Sequence, residues 1–134
     1  MTDPRTFLNA SSFAVAGASR DRSKYGNKVF RALLASGREV YPINPSSAEI
    51  ENHTAYTSVS VLPKSIDSLS IITPPAVTRR VVTEAIAAGV KNIWMQPGAE
   101  DGQASREARA SGLNVIDDGS CILVLLALEK RPNA

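Results

Sequence analysis

Short apolar runs alternate along the chain with stretches in which apolar residues recur every three or four positions. The runs are Phe13-Ala14-Val15-Ala16, Val40-Tyr41-Pro42-Ile43, residues 69–72, Ile93-Trp94-Met95 and Val115-Ile116. Continuous apolar runs of this length fit strands buried on both faces. Between them, Val29 with Leu33 and Phe30 with Leu34 form an i,i+4 stripe that predicts a helix over 25–36. Val77, Val81, Ala85 and Ile86 predict the inner face of a second helix over 76–88. Asp101 starts a third, which stops at Gly112, and Asp117-Asp118-Gly119 opens a last one. Thr2 or Asp3 caps a short N-terminal helix with Pro4 in its first turn. The polar, Ser-rich stretch that leads to Val61 predicts one short strand and a helical turn.

Three helices end alike, in Ala35-Ser36-Gly37, Ala87-Ala88-Gly89 and Ala110-Ser111-Gly112, each followed within a few residues by a strand. Glycine there supplies the left-handed residue that terminates a helix. Strands alternating with helices predict an α/β fold. Its form is a Rossmann-like, doubly wound parallel sheet of five to six strands with helices on both faces. No linker interrupts the pattern, so the 134 residues read as one domain.

Composition narrows the partners. The formal net charge is +2, so nothing global argues for nucleic acid or a membrane surface. The N-terminus lacks an apolar run after a basic start, which is not the pattern of a signal peptide. The stretch 121–128 is too short to cross a bilayer, which takes about 20 residues; it reads as core or as a contact with a second copy or another protein. Cys121 is the only cysteine, which fits a reducing, cytoplasmic setting.

In an open parallel sheet, ligands bind beyond the carboxyl ends of the strands, where strand order reverses. Here those ends lead into Gly17-Ala18-Ser19, Asn44-Pro45, Thr73-Pro74-Pro75, Gln96-Pro97-Gly98 and Asp117-Asp118-Gly119. Small residues let a ligand approach the backbone, and prolines stiffen the rim. The first loop carries most information. Gly17 permits a tight turn, Arg20, Arg22 and Lys24 add positive charge, and the helix start after Ser23 offers unpaired N–H groups to an anion. A solvated basic loop is the simpler alternative. A standard NAD site fits poorly, because the next glycine after Gly17 is Gly26 and the second strand ends in Asn44-Pro45 rather than in an acidic residue. NADP escapes the acidic rule.

The blocks Val15-Ala16-Gly17-Ala18-Ser19-Arg20, Lys24-Tyr25-Gly26 and Val40-Tyr41-Pro42-Ile43-Asn44-Pro45, then Thr73-Pro74-Pro75 and Trp94-Met95-Gln96-Pro97-Gly98, occur in this order. The ordered set resembles the free-standing bacterial CoA-binding domain family, which is similar to the CoA-binding Rossmann domain of the succinyl-CoA synthetase alpha subunit. The resemblance runs over about residues 13–121. It implies that the chain binds coenzyme A or acyl-CoA, with the phosphates at Gly17, Ala18, Ser19 and the basic loop. It implies that Asn44, Pro45, Thr73, Pro74 and Pro75 border the nucleotide, that Val77 adds an apolar contact, and that Gln96, Pro97 and Gly98 face the pantetheine arm. The family often has polar and charged residues just after the final cysteine; this chain continues Ile122-Leu123-Val124-Leu125-Leu126.

No group stands out for catalysis. His53 lies in a polar loop without an obvious carboxylate partner. Succinyl-CoA synthetase takes its phosphohistidine from a region outside its CoA domain, so that chemistry does not transfer. Cys121 near a helix start reads as a buried, inert thiol, because Asp117 and Asp118 oppose the thiolate. The two aspartates read as a helix cap, and Trp94 reads as core. No metal-ligand spacing occurs. A binding module is the primary reading; a small NADP-dependent oxidoreductase and a CoA-sensing regulatory subunit are the alternatives.

Overall fold

The computed structural model describes residues 2–129. The strands are β1 (Phe13–Ala16), β2 (Val40–Ile43), β3 (Glu49–Ile50), β4 (His53–Thr54), β5 (Ser68–Ile71), β6 (Asn92–Met95) and β7 (Asn114–Ile116). Five of them form a parallel sheet in the order β2-β1-β5-β6-β7. The helices are α1 (Pro4–Leu8), α2 (Tyr25–Ala35), α3 (Pro75–Ala87), α4 (Gly102–Ala110) and α5 (Ile122–Glu129), with a 3₁₀ turn at Val59–Val61.

Every residue of β1, β5, β6 and β7 is buried, as their runs predict for strands covered on both sides. Alternate residues feed two cores. Ala14, Leu69, Ile71, Ile93 and Val115 pack with residues of α3 and α4. Phe13, Val15, Trp94 and Ile116 pack with residues of α1, α2 and α5. The expected Rossmann-like arrangement is therefore present, with five strands in its sheet. Trp94 is core as expected, and its Nε1 donates to the Ser120 carbonyl at 3.0 Å.

Three expectations need correction. The segment before Val61 contains two short strands, β3 and β4, which pair antiparallel. On α3, Ala85 is buried and Val81 and Ile86 pack against the core as expected, but Val77 does not, and Thr78 and Val82 are the other buried positions. Thr78 tolerates burial because its hydroxyl donates to the Ala99 carbonyl at 2.9 Å and pairs with the Thr73 hydroxyl at 2.8 Å. Asp117 and Asp118 do not act together as a cap. Asp117 forms two hydrogen bonds with Arg109, both 2.9 Å, while Asp118 accepts from the backbone and hydroxyl of Ser120.

A polar ladder crosses the amino ends of three strands. Ser68, Asn92 and Asn114 stand in register. Asn92 donates to the Ser68 hydroxyl at 3.1 Å, and Asn114 donates to Asn92 Oδ1 at 3.1 Å. Asn114 also bonds both backbone groups of Asp3, at 2.8 and 2.9 Å. Ser68 donates to the Phe7 carbonyl at 2.9 Å. The ladder thus clamps α1 to the sheet and seats Phe7 edge-on against Trp94, 5.3 Å between ring centres.

Hydrogen bonds from Arg79 and the Ala104 N–H hold Asp101 below the ordinary carboxylate value of 3.8, and the Arg109 pair does the same for Asp117. Their folded pKa values lie below the unfolded ones, so the unfolded chain binds more protons in acid. Their stabilisation is complete above the unfolded value and is lost as pH falls through the folded one. Melting temperature is expected to fall steeply below about pH 4. The double variant Asp101→Asn/Asp117→Asn should flatten that fall; an unchanged acid limb would contradict the assignment.

Candidate functional site

Strand order reverses between β1 and β5, since the chain passes from β1 out to β2 and returns to β5 on the other side. Gly17 stands at that point. Its N–H donates to the Ile43 carbonyl at 3.2 Å, and beside it the Ile72 N–H donates to the Ala16 carbonyl at 2.8 Å. Gly17 adopts φ +91°, and a β-carbon there would lie 1.9 Å from the Ile72 oxygen. At Gly26, in the first turn of α2, a β-carbon would lie 2.0 Å from the Gly17 oxygen. The two glycines therefore let the helix start press directly on the turn. This is the close helix–strand contact that the absent G-x-G-x-x-G spacing normally supplies.

Lys24 stands at the N-cap of α2 and gives no side-chain cap, so the first turn keeps its N–H groups for another acceptor. Ser19 accepts from the Asp21 N–H at 3.1 Å, and Asp21 accepts from the backbone and hydroxyl of Ser23. Those bonds hold Asp21 below the ordinary carboxylate value. Asn44 donates from Nδ2 to the Ala18 carbonyl at 2.8 Å and accepts from the Ser46 N–H at 2.7 Å. It ties the end of β2 to the turn. Arg20 and Lys24 are exposed.

A cleft of about 460 Å³ opens beside this turn. Ala16, Gly17, Ile43 and Pro45 form one side; Ile72, Thr73, Pro74, Val77 and Val81 form the other. Five predicted residues, Gly17, Pro45, Thr73, Pro74 and Val77, thus share one cavity. Pro75 is the first residue of α3 behind it. Thr57, Ser58, Val59, Arg80 and Glu84 complete the lining and were not anticipated. Thr57 and Ser58 arrive there because Tyr56 bonds the Pro42 carbonyl and the Asn44 N–H, both at 2.9 Å, which lays the loop along β2. Along α3, Val77 lines the cleft, Val81 lines it and also packs on the core, and Val82 and Ala85 are buried in the core.

The remaining predicted residues serve a neighbouring network. Gln96 is fully buried. It donates to the Ser70 hydroxyl at 3.1 Å, and its Oε1 accepts from the Tyr25 hydroxyl at 3.1 Å and from the Ile122 N–H at 3.0 Å. Gln96 thereby caps α5. Pro97 and Gly98 are the exposed part of that loop. The Tyr25 hydroxyl also lies 2.5 Å from Cys121 Sγ, and burial, then the thiol, push that hydroxyl above its ordinary value. Cys121 is half-buried rather than buried. His53 is exposed, with Nδ1 2.8 Å from the Glu51 carbonyl. Among the described residues, no group of His, Cys, Asp and Glu has the geometry of a metal site, and no helix is long and apolar enough to cross a membrane.

Known proteins share this architecture. The chain is 35% identical over 88 residues to the alpha subunit of an ADP-forming acetate–CoA ligase II from Pyrococcus furiosus, matching 65% of this chain and 19% of that protein. The matches cover between 11% and 19% of the curated relatives' own lengths. A conserved hypothetical protein from Pyrococcus furiosus superposes with a TM-score of 0.79 at 41% identity, covering 85% of this chain and 97% of the other. A dinucleotide forming acetyl-coenzyme A synthetase 1 from Ca. Korarchaeum cryptofilum superposes with a TM-score of 0.75 at 32% identity, over 86% of this chain and 27% of that one. Residues 11–127 match the family described as CoA binding domain, and the chain belongs to that family.

Proposed function

We propose that the chain binds coenzyme A or an acyl-CoA in the cleft between β1, β2 and β5. The observation that carries the reading is the coincidence of three features at the switch point. These are a two-glycine turn closed to any β-carbon, a helix start without a side-chain cap, and an apolar cleft of about 460 Å³. That volume falls within the roughly 300–1,000 Å³ usual for small-molecule sites.

The parts suit the ligand's chemistry. The pyrophosphate is placed at the Gly17-Ala18-Ser19 backbone and the first turn of α2, where N–H groups and the helix dipole favour an anion. Arg20 and Lys24 supply charge from the loop. The adenine is placed in the cleft, between Ile43 and Pro45 on one side and Val77 and Val81 on the other. Asn44 holds the turn's shape through the Ala18 carbonyl, and it carries no charge to repel a phosphate. Exposed Pro97 and Gly98 border the path assigned to the pantetheine arm. The residues so placed bind and orient; none is assigned a proton-transfer step.

Thermal-shift titration tests the reading. A ligand that binds only the folded chain raises its melting temperature. CoA is expected to raise it; no shift at millimolar CoA, with a shift from NADP, would overturn the proposal. Arg20→Ala and Lys24→Ala are each expected to weaken CoA binding roughly fivefold, the scale of one exposed charge-assisted contact. Each should also reduce its salt dependence. Unchanged affinity would remove that residue from the site.

A further inference from the structure

The β3–β4 hairpin turns on two residues, Glu51 and Asn52, with φ of +48° and +65°. Asparagine suits such a turn, but glutamate does not. A residue held in this region persists where its surroundings over-determine it. Here they do. Glu51 Oε2 accepts from Asn27 Nδ2 at 3.1 Å, and Asn27 is fully buried. The same Nδ2 donates to the Ser19 carbonyl at 2.9 Å, inside the phosphate turn. The other oxygen of Glu51 lies 3.4 Å from an Arg22 guanidinium nitrogen. The Glu51 side chain is 22% exposed, against 67% for Arg22.

The hairpin thus carries a carboxylate to the basic loop. Arg20, Arg22, Glu49 and Glu51 border one open hollow of about 740 Å³ there. Asp21, the carboxylate within the loop itself, bonds Ser23. We propose that Glu51 is a specificity-determining residue, a built-in counter-charge that occupies Arg22 and sets how much positive charge the phosphate turn offers. The proposal rests on the CoA reading above. Under it, Arg20 and Lys24 meet the ligand's phosphates with no ion-pair partner among the described residues, whereas Arg22 already faces Glu51 before the ligand arrives. A carboxylate so close to the turn also penalises anions that bring charge but cannot fill the cleft.

Glu51→Gln separates charge from position, since the amide oxygen still accepts from Asn27. Calorimetric titration with CoA, at low and high salt, compares the wild type, Glu51→Gln, Arg22→Ala, Arg20→Ala and the double variant Glu51→Gln/Arg22→Ala. Glu51→Gln is expected to tighten CoA binding about threefold at low salt, the scale of one exposed ion pair. Its salt dependence should steepen. Arg22→Ala should cost less than Arg20→Ala in the wild type and should remove the gain in the Glu51→Gln background. A gain in affinity is a result that simple damage to the hairpin does not give. Affinity unchanged or weakened by Glu51→Gln, with CoA binding to the wild type intact, overturns this inference. Arg22→Ala costing as much as Arg20→Ala does so without touching the hairpin. CoA binding to none of the proteins, wild type included, overturns the reading of the site itself.

Discussion

Gly17→Ala is expected to destabilise the protein by about 2–6 kcal/mol and to abolish CoA binding. Two costs combine. An L-residue at φ +91° carries strain of about 1–3 kcal/mol. Its β-carbon would meet the Ile72 backbone oxygen at 1.9 Å, and a clash in a packed site costs about 1–3 kcal/mol more. The obstacle is backbone, so no side chain can rotate away. Relief requires β1 and β5 to separate at the point where the cleft opens, which distorts the turn to which the proposal assigns the phosphates. Gly26→Ala gives a graded comparison. Its β-carbon would lie 2.0 Å from the Gly17 oxygen, but Gly26 does not adopt a left-handed conformation. Only the clash applies, so a loss of about 1–3 kcal/mol is expected. Denaturant unfolding measures both; equal losses, or none at Gly17, would contradict the geometry.

Asn114→Ala is expected to cost about 2–3 kcal/mol, at the opposite end of the sheet. The substitution deletes three hydrogen bonds, two to the Asp3 backbone and one to Asn92. Asn92 Oδ1 then loses its donor in a buried setting, and an unsatisfied buried polar group costs about 1–3 kcal/mol. The melting temperature should fall by about 10 °C, at roughly 4 °C per kcal/mol for a chain of this size. Amide exchange should accelerate first in α1, because the ladder holds that helix and its Phe7 against Trp94. A loss below about 1 kcal/mol, or uniform loosening of the whole sheet, would show that α1 is held by packing alone. CoA affinity should change little, since the ladder lies at the amino ends of the strands.

Much of the fold is legible in the sequence because its strands are buried on both faces. Four-residue apolar runs such as Phe13-Ala14-Val15-Ala16 have one reading in a chain with helical stretches between them. The glycine stops after the helices and the Asp101 cap follow from local backbone chemistry. Legibility fails where apolar residues serve something other than the core. Val77 looks like part of the core face of α3, but it lines the cleft, while Val81 serves both cleft and core and Thr78 is buried. Apolar periodicity does not distinguish a position packed in the core from one that lines a cleft. Thr78 is hidden because its hydroxyl is satisfied by partners in distant loops.

The site divides in the same way. Gly17, Pro45, Thr73 and Pro74 follow strand ends, where topology directs the search for a site, and Val77 is implied by the family resemblance; all five line the cleft. Thr57, Ser58 and Arg80 were not, since nothing in their local sequence marks them; backbone pairing of Tyr56 to β2 brings the first two in. Gln96 follows a strand as a ligand residue would, yet it caps α5 and bonds Tyr25. The glutamate at the turn of the β3–β4 hairpin runs against turn chemistry, which is why that hairpin was not foreseen.

Amide chemical-shift mapping during a CoA titration tests the central claim most directly. Saturable shifts are expected at Gly17, Ala18, Ser19, Gly26, Thr73 and Val77, with α1 and the outer face of α5 unmoved. Shifts confined to other surfaces, or none at saturating CoA, would contradict it.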